Sequence, residues 1–491
     1  MPMSRFPTFV SLTLAASLAG CAVGPAYQEP AVNVPSAYMG EKVLRGQATP
    51  RMAAPTSLVN WWTQFDDPQI ERFVNAALQQ NLDLAQASAR VLQARAGLAA
   101  AGAALLPSGN VAAQTARSYQ SIETPLGQVL NAVPGLGRYG SAHEANLAAS
   151  WEIDLFGGLQ RTREAARAEY QASDAAATAT RLAIAAQVAD TYIQIRGLQA
   201  RLDVARHQVQ TQQRLRDTIT LRWSRGLAPE LQLRQVEGAL SRAQATIPPL
   251  EAALEAAMNA MDVMLGDLPG THRAELTPLR PLPALPALSL SEAPADLLRR
   301  RPDIIAAERR LAAANARIGA AVAEYYPRLS LTGLIGSATS ISTGNLFSSG
   351  ASQASVAAGL RWRLFDFGRI NAQIDQAEAQ EAELLASYRQ TVLRATEDVE
   401  NALVALDRRQ ELASVLNRGE TALKSARQSS GAAYDKGIVS LIEVLQADES
   451  LLAVQDAQVT ARTDSLRSSV AIFKALGGGW TPAPSSAAAR L

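Results

Sequence analysis

Trp151-Glu152-Ile153-Asp154-Leu155-Phe156-Gly157 returns later in the chain as Trp362-Arg363-Leu364-Phe365-Asp366-Phe367-Gly368, displaced by 211 positions. A second pair of anchors, Trp223-Ser224-Arg225-Gly226 and Tyr434-Asp435-Lys436-Gly437, keeps the same displacement of 211. Two anchors with one offset mark an internal duplication. Upstream, Leu82-Asp83-Leu84 matches Pro302-Asp303-Ile304 and Leu106-Pro107 matches Tyr326-Pro327, now displaced by 220. The first copy therefore carries nine extra residues (220 against 211) between its proline and its tryptophan. Pro125, Pro134, Gly135 and Gly137 fall there, which predicts a longer loop.

Gly157 to Gly226 and Gly368 to Gly437 each span 69 positions without a proline, in stretches rich in Ala, Gln, Glu, Arg and Leu. These residues lose little side-chain freedom in a helix. Leu384, Tyr388, Val392, Ala395, Val399, Ala402 and Leu406 recur at three-and-four spacing with charges between them, the seam of a coiled coil. At about 1.5 Å per residue, such a helix is roughly 100 Å long. Residues 231–245 and 441–465 predict return helices packed antiparallel on the long ones, and Pro248-Pro249 must break the first of them.

Just before each long helix the period changes to two. Ala145, Leu147, Ala149, Trp151, Ile153 and Leu155 alternate with Glu144, Asn146, Ala148, Ser150, Glu152 and Asp154; Ala354, Val356, Ala358, Leu360, Trp362 and Leu364 alternate with Ser355, Ala357, Gly359, Arg361 and Arg363. One face suits lipid and the other water, with Trp151 and Trp362 where an interfacial aromatic girdle would stand. Strands from Ser108 and Arg328 complete two hairpins, 108–156 and 328–367. Four strands cannot close a membrane barrel, whose minimum is about eight, so three copies with about twelve strands are expected. The fold expected is thus mainly α with a membrane β part. Long antiparallel coiled coils make the α part, which the resemblance given below implies is an α-helical barrel, and four strands per chain build a 12-stranded barrel in a trimer.

The N-terminus carries one charge, Arg5, and a short apolar run, which reads as a signal peptide over 1–20. It ends in Leu18-Ala19-Gly20-Cys21, similar to a lipobox, so Cys21 is the expected lipid attachment point; Ala22 after it, by resemblance to lipoprotein sorting, favours the outer membrane. Cys21 is the only cysteine of the 491 residues, which excludes an internal disulfide. Without Arg5, Lys+Arg falls from 46 to 45, equal to Asp+Glu 45, and a neutral chain argues against nucleic acid as a partner. No later run reaches eighteen apolar residues, so a helical membrane span is not expected. The organisation expected is a lipidated extended segment 21–59, a first repeat 60–267, a linker 268–294, a second repeat 295–479 and a tail 480–491.

Asn60-Trp61-Trp62 with Phe65, Asp67-Pro68 and Ile70, then Arg299-Arg300-Arg301-Pro302-Asp303-Ile304 with Glu308 and Leu311, then Tyr325-Tyr326-Pro327, stand in an order that resembles the TolC-type outer-membrane efflux factors. The resemblance is to their lipoprotein (NodT/OprM-like) subgroup, which serves resistance-nodulation-division pumps, and it covers nearly the whole chain after the leader. It implies a homotrimeric duct in outer-membrane lipid, sealed at its periplasmic end, where a periplasmic adaptor protein and an inner-membrane pump dock. It implies no cofactor beyond the lipid on Cys21, no metal and no enzyme activity. The residues agree. The arginine run has no glycine-rich loop before it and reads as a solvated helix start rather than a phosphate site, and His143, His207 and His272 are scattered.

Carried over by position, the family's acidic seal falls on Glu443 and Gln446 and its tip tyrosine on Tyr434. Glutamine replaces one of the two usual carboxylates, which shifts weight to Asp435 and Lys436 beside Gly437. Three copies of Glu443 would form a cation-favouring ring. The first-half positions at the tip are Trp223, Arg225, Gly226 and Gln232. Two alternatives share the lipobox and the helices: a periplasmic adaptor lipoprotein, which should have one hairpin between compact β domains, and a structural coiled-coil lipoprotein, which has no use for the Trp151 and Trp362 strands.

Overall fold

The computed structural model describes residues 22–31, 38–39, 58–135, 137–286 and 298–481. The expected leader, Cys21, most of segment 21–59, part of the linker and nearly all of the tail lie outside the described residues.

After a 3-10 turn at Trp61–Phe65, the elements are α1 (Pro68–Gln80), α2 (Leu82–Ala103), β1 (Ser108–Tyr119), α3 (Pro125–Ala132), β2 (Tyr139–Ile153), α4 (Gly158–Ser224), α5 (Glu230–Ala245), α6 (Ile247–Leu265) and α7 (Arg273–Leu276). The second half follows with α8 (Pro302–Ala323), β3 (Arg328–Thr339), β4 (Ser352–Arg361), α9 (Arg369–Asp435) and α10 (Leu441–Ala475). Both long helices, α4 and α9, have 67 residues. Both start after a glycine in the left-handed region, Gly157 (φ 78°) and Gly368 (φ 85°), and both end before another, Gly226 (φ 71°) and Gly437 (φ 72°). Only glycine adopts this conformation without a Cβ penalty. An aspartate caps each start. Asp154 Oδ2 accepts from Gln160 N at 2.7 Å and Asp366 Oδ2 from Ile370 N at 2.7 Å.

Among the described residues, 22–30, 91–172 and 307–387 form one compact unit. Its sheet has the order β1-β2-β3-β4, antiparallel throughout. The register places Val111, Leu147, Ile335 and Ala354 in one row and Trp151, Leu331 and Ala358 in another, all on one face. Asn110, Asn146, Ser150, Glu152, Thr332 and Gln353 fall on the opposite face. Both faces of the edge strands are open along nearly their whole length, and on the apolar face Val111 is 78% and Val356 81% exposed. An antiparallel sheet in water normally hides its apolar side.

The strands stop short of the sequence expectation. β2 ends at Ile153 because Leu155 N bonds back to Ile153 O at 2.9 Å and turns the chain. β4 ends at Arg361, so Trp362 lies just beyond it, its indole N–H donating to Tyr325 O at 2.9 Å. The extra loop of the first repeat contains a helix, α3, whose cap Thr124 accepts from Gly127 N at 3.2 Å. The last return helix, α10, runs ten residues past Ser465, to Ala475.

The described residues of 31–90, 173–306 and 388–481 form the other unit. Its core gathers Trp61, Phe65, Phe73, Tyr192, Met261 and Phe473, with Trp61 stacked on Phe473 at 5.1 Å between ring centroids. Within it Arg196 is fully buried. Its guanidinium donates to Gln69 Oε1 (2.5 Å), Gln199 Oε1 (2.6 Å), Pro278 O (2.9 Å) and Leu276 O (3.3 Å) and lies 4.9 Å from the Tyr192 ring centroid. Burial chiefly pushes the Tyr192 phenol up to about 12.

The arginine run is not a solvated helix start at its last member. Arg301 is buried, donating to Asp303 (2.7 Å), Asp398 (3.1 Å), Ala475 O (3.0 Å) and Ala395 O (3.3 Å), and so ties the start of α8 to α9 and α10. Burial works against its charge, but Asp303 and Asp398 outweigh it and raise its proton affinity.

Candidate functional site

The two tip turns are built alike. Gly226 N bonds to Trp223 O (2.8 Å) and Leu227 N to Arg222 O (2.8 Å), while Gly437 N bonds to Tyr434 O and Ile438 N to Ala433 O, both at 2.9 Å. This paired pattern closes a helix C-terminus around a left-handed glycine and satisfies its last carbonyls. Beneath the turns Ile219, Leu233, Val236 and Leu441 pack into a small apolar cluster, with Tyr434 against its side.

Tyr434 is where the two halves meet. Its hydroxyl lies 3.5 Å from Gln232 Oε1, and the Arg222 guanidinium stands 5.2 Å from its ring centroid. Arg222 also reaches Asp435 Oδ1 at 3.4 Å. Of the expected tip residues, the structure thus joins Gln232, Tyr434 and Asp435. Trp223, Arg225, Gly226, Lys436 and Gly437 are exposed around them, and Glu443 and Gln446 are exposed on α10. Arg222 was not legible from the duplication, since its counterpart 211 positions on is Ala433.

Behind the tip an open groove of about 970 Å³ runs beside α4, α9 and α10. Buried Asp448 stands at its wall, accepting from Arg427 Nε at 2.8 Å and Gln212 Nε2 at 3.3 Å. The available signal was its place, since Leu441, Val444 and Asp448 are spaced as apolar seam positions and the third is an acid.

At the other unit, the residues just after Cys21 form a strap. Val23 N bonds to Phe156 O at 3.2 Å, and Arg161 donates to Val23 O (3.2 Å) and Gly24 O (3.3 Å). Gly24 (φ 92°) lies so close to Gly319 that a Cβ on it would be 2.4 Å from the Gly319 Cα. Tyr27 Oη donates to Glu308 Oε1 at 2.5 Å, and burial followed by this carboxylate raises its affinity for the proton. Near the same junction the Trp151 indole donates to Leu105 O at 2.9 Å and Phe156 stacks on Tyr326 at 4.6 Å.

The histidines do separate jobs. His143 is buried on β2 beside Thr115 (3.3 Å), His207 contacts Asp203 O (2.9 Å) and His272 contacts Asp262 (2.9 Å). Among the described residues no three His, Cys, Asp or Glu side chains gather as a metal site would require.

Residues 73–267 and 293–478 match the family model of outer membrane efflux proteins. The chain is 33% identical over 477 residues to a pyoverdine export outer membrane protein, OpmQ, of Pseudomonas putida, covering 96% of this chain and 97% of that one. It is 32% identical over 485 residues to the outer membrane protein OprJ of Pseudomonas aeruginosa, covering 97% of each. The solved outer-membrane channel OprN superposes with a TM-score of 0.84 at 32% identity, covering 94% of this chain and 100% of that one.

Proposed function

The chain belongs to the outer membrane efflux protein family, and on that premise we propose that it is the exit duct of a tripartite efflux system, gated at its coil tips. The family is one of channel and transport proteins. The carrying observation is the four-stranded sheet, whose rows from Leu147 to Ile153 put apolar residues on one face and mainly polar or small ones on the other, and whose edge strands β1 and β4 pair with no further strand among the described residues. A sheet of this kind is stable with lipid on one side, water on the other and further strands at its edges. Three copies complete it, as a homotrimer in the outer membrane of a Gram-negative cell. An adaptor lipoprotein would not repeat the hairpin, and the relatives are named as outer membrane proteins.

A periplasmic adaptor and a resistance-nodulation-division pump deliver the exported compounds to the periplasmic end. Lipidation of Cys21 is supported by the lipobox and by the seating of Ala22 against Gly157 beside the end of β2. A lipid there meets the membrane boundary where Trp151 and Trp362 stand, and its chains add to the barrel's own hold. The groups that hold the tip closed are Arg222, Tyr434 and Asp435, with Gln232 and Lys436 beside them and Glu443 as the acidic ring. Opening is a change of coil packing at these contacts, biased by the adaptor's differential affinity for the open form.

The test is reconstitution in planar bilayers. The wild-type trimer should conduct weakly, and substituting Glu443 together with Tyr434 and Lys436 should raise single-channel conductance. Unchanged conductance would sink the gate assignment, and absence of any channel would sink the duct.

A further inference from the structure

On the duct reading above, which sets this sheet in the outer membrane, we propose that Arg117, Tyr119, Arg138 and Tyr139 form a binding site for a phosphorylated glycolipid of the outer leaflet. The two hairpins differ at one end. The β3–β4 ladder stops at Ser337↔Ser352. Under the displacements of 220 and 211 its counterpart is Arg117↔Ser141, yet β1–β2 runs two rows further, through Ser118↔Gly140 to Tyr119↔Tyr139. The first hairpin thus carries an extension that the second lacks. Where the first has Arg117 and Tyr119, the second has Ser337 and Thr339.

The extension stands at the height of the outer membrane boundary. Arg117, Tyr119 and Tyr139 alternate onto the face that carries Val111, Leu147 and Trp151. On β2, Trp151 and Tyr139 are twelve positions apart (151 against 139), which is about 40 Å along a strand rising about 3.4 Å per residue. A barrel strand tilted by about 40° covers about 30 Å of the membrane normal in that length, enough to set one aromatic at each edge of an apolar band about 25 Å tall. Trp151 lies at the end of β2 that leads into the long helix α4, so the tyrosine pair faces the outer leaflet.

The side chains there make a cationic shelf. The Tyr119 and Tyr139 ring centroids are 4.5 Å apart. The Arg138 guanidinium stands 4.5 Å from the Tyr119 centroid, and that of Arg117, rooted two residues nearer the middle of the sheet, reaches outward to 5.9 Å from the Tyr139 centroid. Arg138 also approaches Gln120 O at 3.5 Å. Stacking uses the flat face of a guanidinium and leaves its in-plane N–H fork for an oxyanion. Among the described residues neither arginine has a carboxylate partner. Glu123 is the only acid from 108 to 143, residues 329–360 contain no charged residue, and Glu144 falls on the opposite face. Each copy therefore offers two uncompensated positive charges beside two aromatic rings, at the level where a phosphorylated glycolipid holds its phosphates. The forks would take the phosphate through charge-assisted bonds, and the acyl chains would run down over Val111 and Leu147.

The full chain, reconstituted as a trimer in phosphatidylcholine nanodiscs doped with diphosphoryl lipid A, tests this by native mass spectrometry of the lipid retained. Wild type should hold up to one lipid A per copy. R117Q/R138Q should hold it about tenfold or more weakly, because two charge-assisted contacts are lost. R361Q, which removes a charge at the other end of the same sheet, should bind as wild type does. Lipid A stripped of its phosphates should bind wild type no better than it binds R117Q/R138Q. If the double variant does not assemble, R117Q and R138Q singly should each show a partial loss. Conducting R117Q/R138Q trimers that retain lipid A as wild type does, or an equal loss in R361Q, would overturn the site and leave the duct standing. Displacement of lipid A by an equal concentration of inorganic phosphate would make the occupant a free anion and overturn the lipid. Wild-type chains that form no channel in any bilayer would overturn the duct itself.

Discussion

Replacing Arg222 by alanine should open the duct. The side chain makes two contacts across the tip, a cation–π contact with Tyr434 at 5.2 Å and an ion pair with Asp435 at 3.4 Å. At an exposed site the first contributes about 0.5–1 kcal/mol. The second lies at the low end of about 0.2–1 kcal/mol, because Asp435 is 72% exposed and water screens it. Together they amount to about 1 kcal/mol per subunit, or about 3 kcal/mol for three tips that open together, and about 1.4 kcal/mol is a tenfold change. The closed-to-open ratio should therefore fall roughly a hundredfold. Open probability of single R222A channels in planar bilayers measures this. R242A, which removes a more exposed pair with Glu449 on the return helices, should leave it unchanged. In 1 M salt, where the screening length shrinks to about 3 Å, the difference between wild type and R222A should narrow, because screening weakens in the wild type the ion pair that R222A already lacks. An R222A channel as closed as the wild type, or no more open than R242A, would refute the tip lock.

Three other outcomes follow from the packing. Gly24→Val places a side chain on Gly319 and should release the strap, seen as rapid proteolysis near residue 24, whereas Gly97→Ala, with open space around it, should remain resistant. Arg196→Met removes the shared donor of two glutamines and two carbonyls in the core, leaving buried acceptors unpaired, and should cost about 1–3 kcal/mol in denaturant unfolding; a loss near zero would mean the network is not closed. Tyr192 holds its proton up to about pH 12 in the folded state, against 10.0 for a tyrosine open to water, so the unfolded chain binds fewer protons between those values. Stability should fall as pH rises through 10 to 12, and Tyr192→Phe should flatten that part of the profile.

The long helices were legible because two features coincide in both repeats: no proline for 69 positions and a glycine at either end. The strand faces were legible from alternation alone, and the register places Val111, Leu147 and Ile335 in one row as period two requires. Strand ends were not. Alternation runs on through Leu155 and Leu364, but a strand lasts only as long as its neighbour supplies hydrogen bonds, and that is a property of pairing. Arg301 shows a second limit. Three consecutive arginines look hydrated, and only the fold reveals that the third meets two carboxylates and two helix carbonyls. The tip was half legible, since the duplication led to Tyr434 through its counterpart Trp223, but Arg222 corresponds to Ala433, which carries no such signal.

The strap also sets an order of events. Tyr27 finds Glu308 281 residues away, and Gly24 finds Gly319. Synthesis delivers the first partner of each pair long before the second, and closing so wide a loop is slow. The strap therefore cannot close when its own residues are made: residues 23–27 wait for the second repeat, and a part of the chain made early is among the last to come to rest.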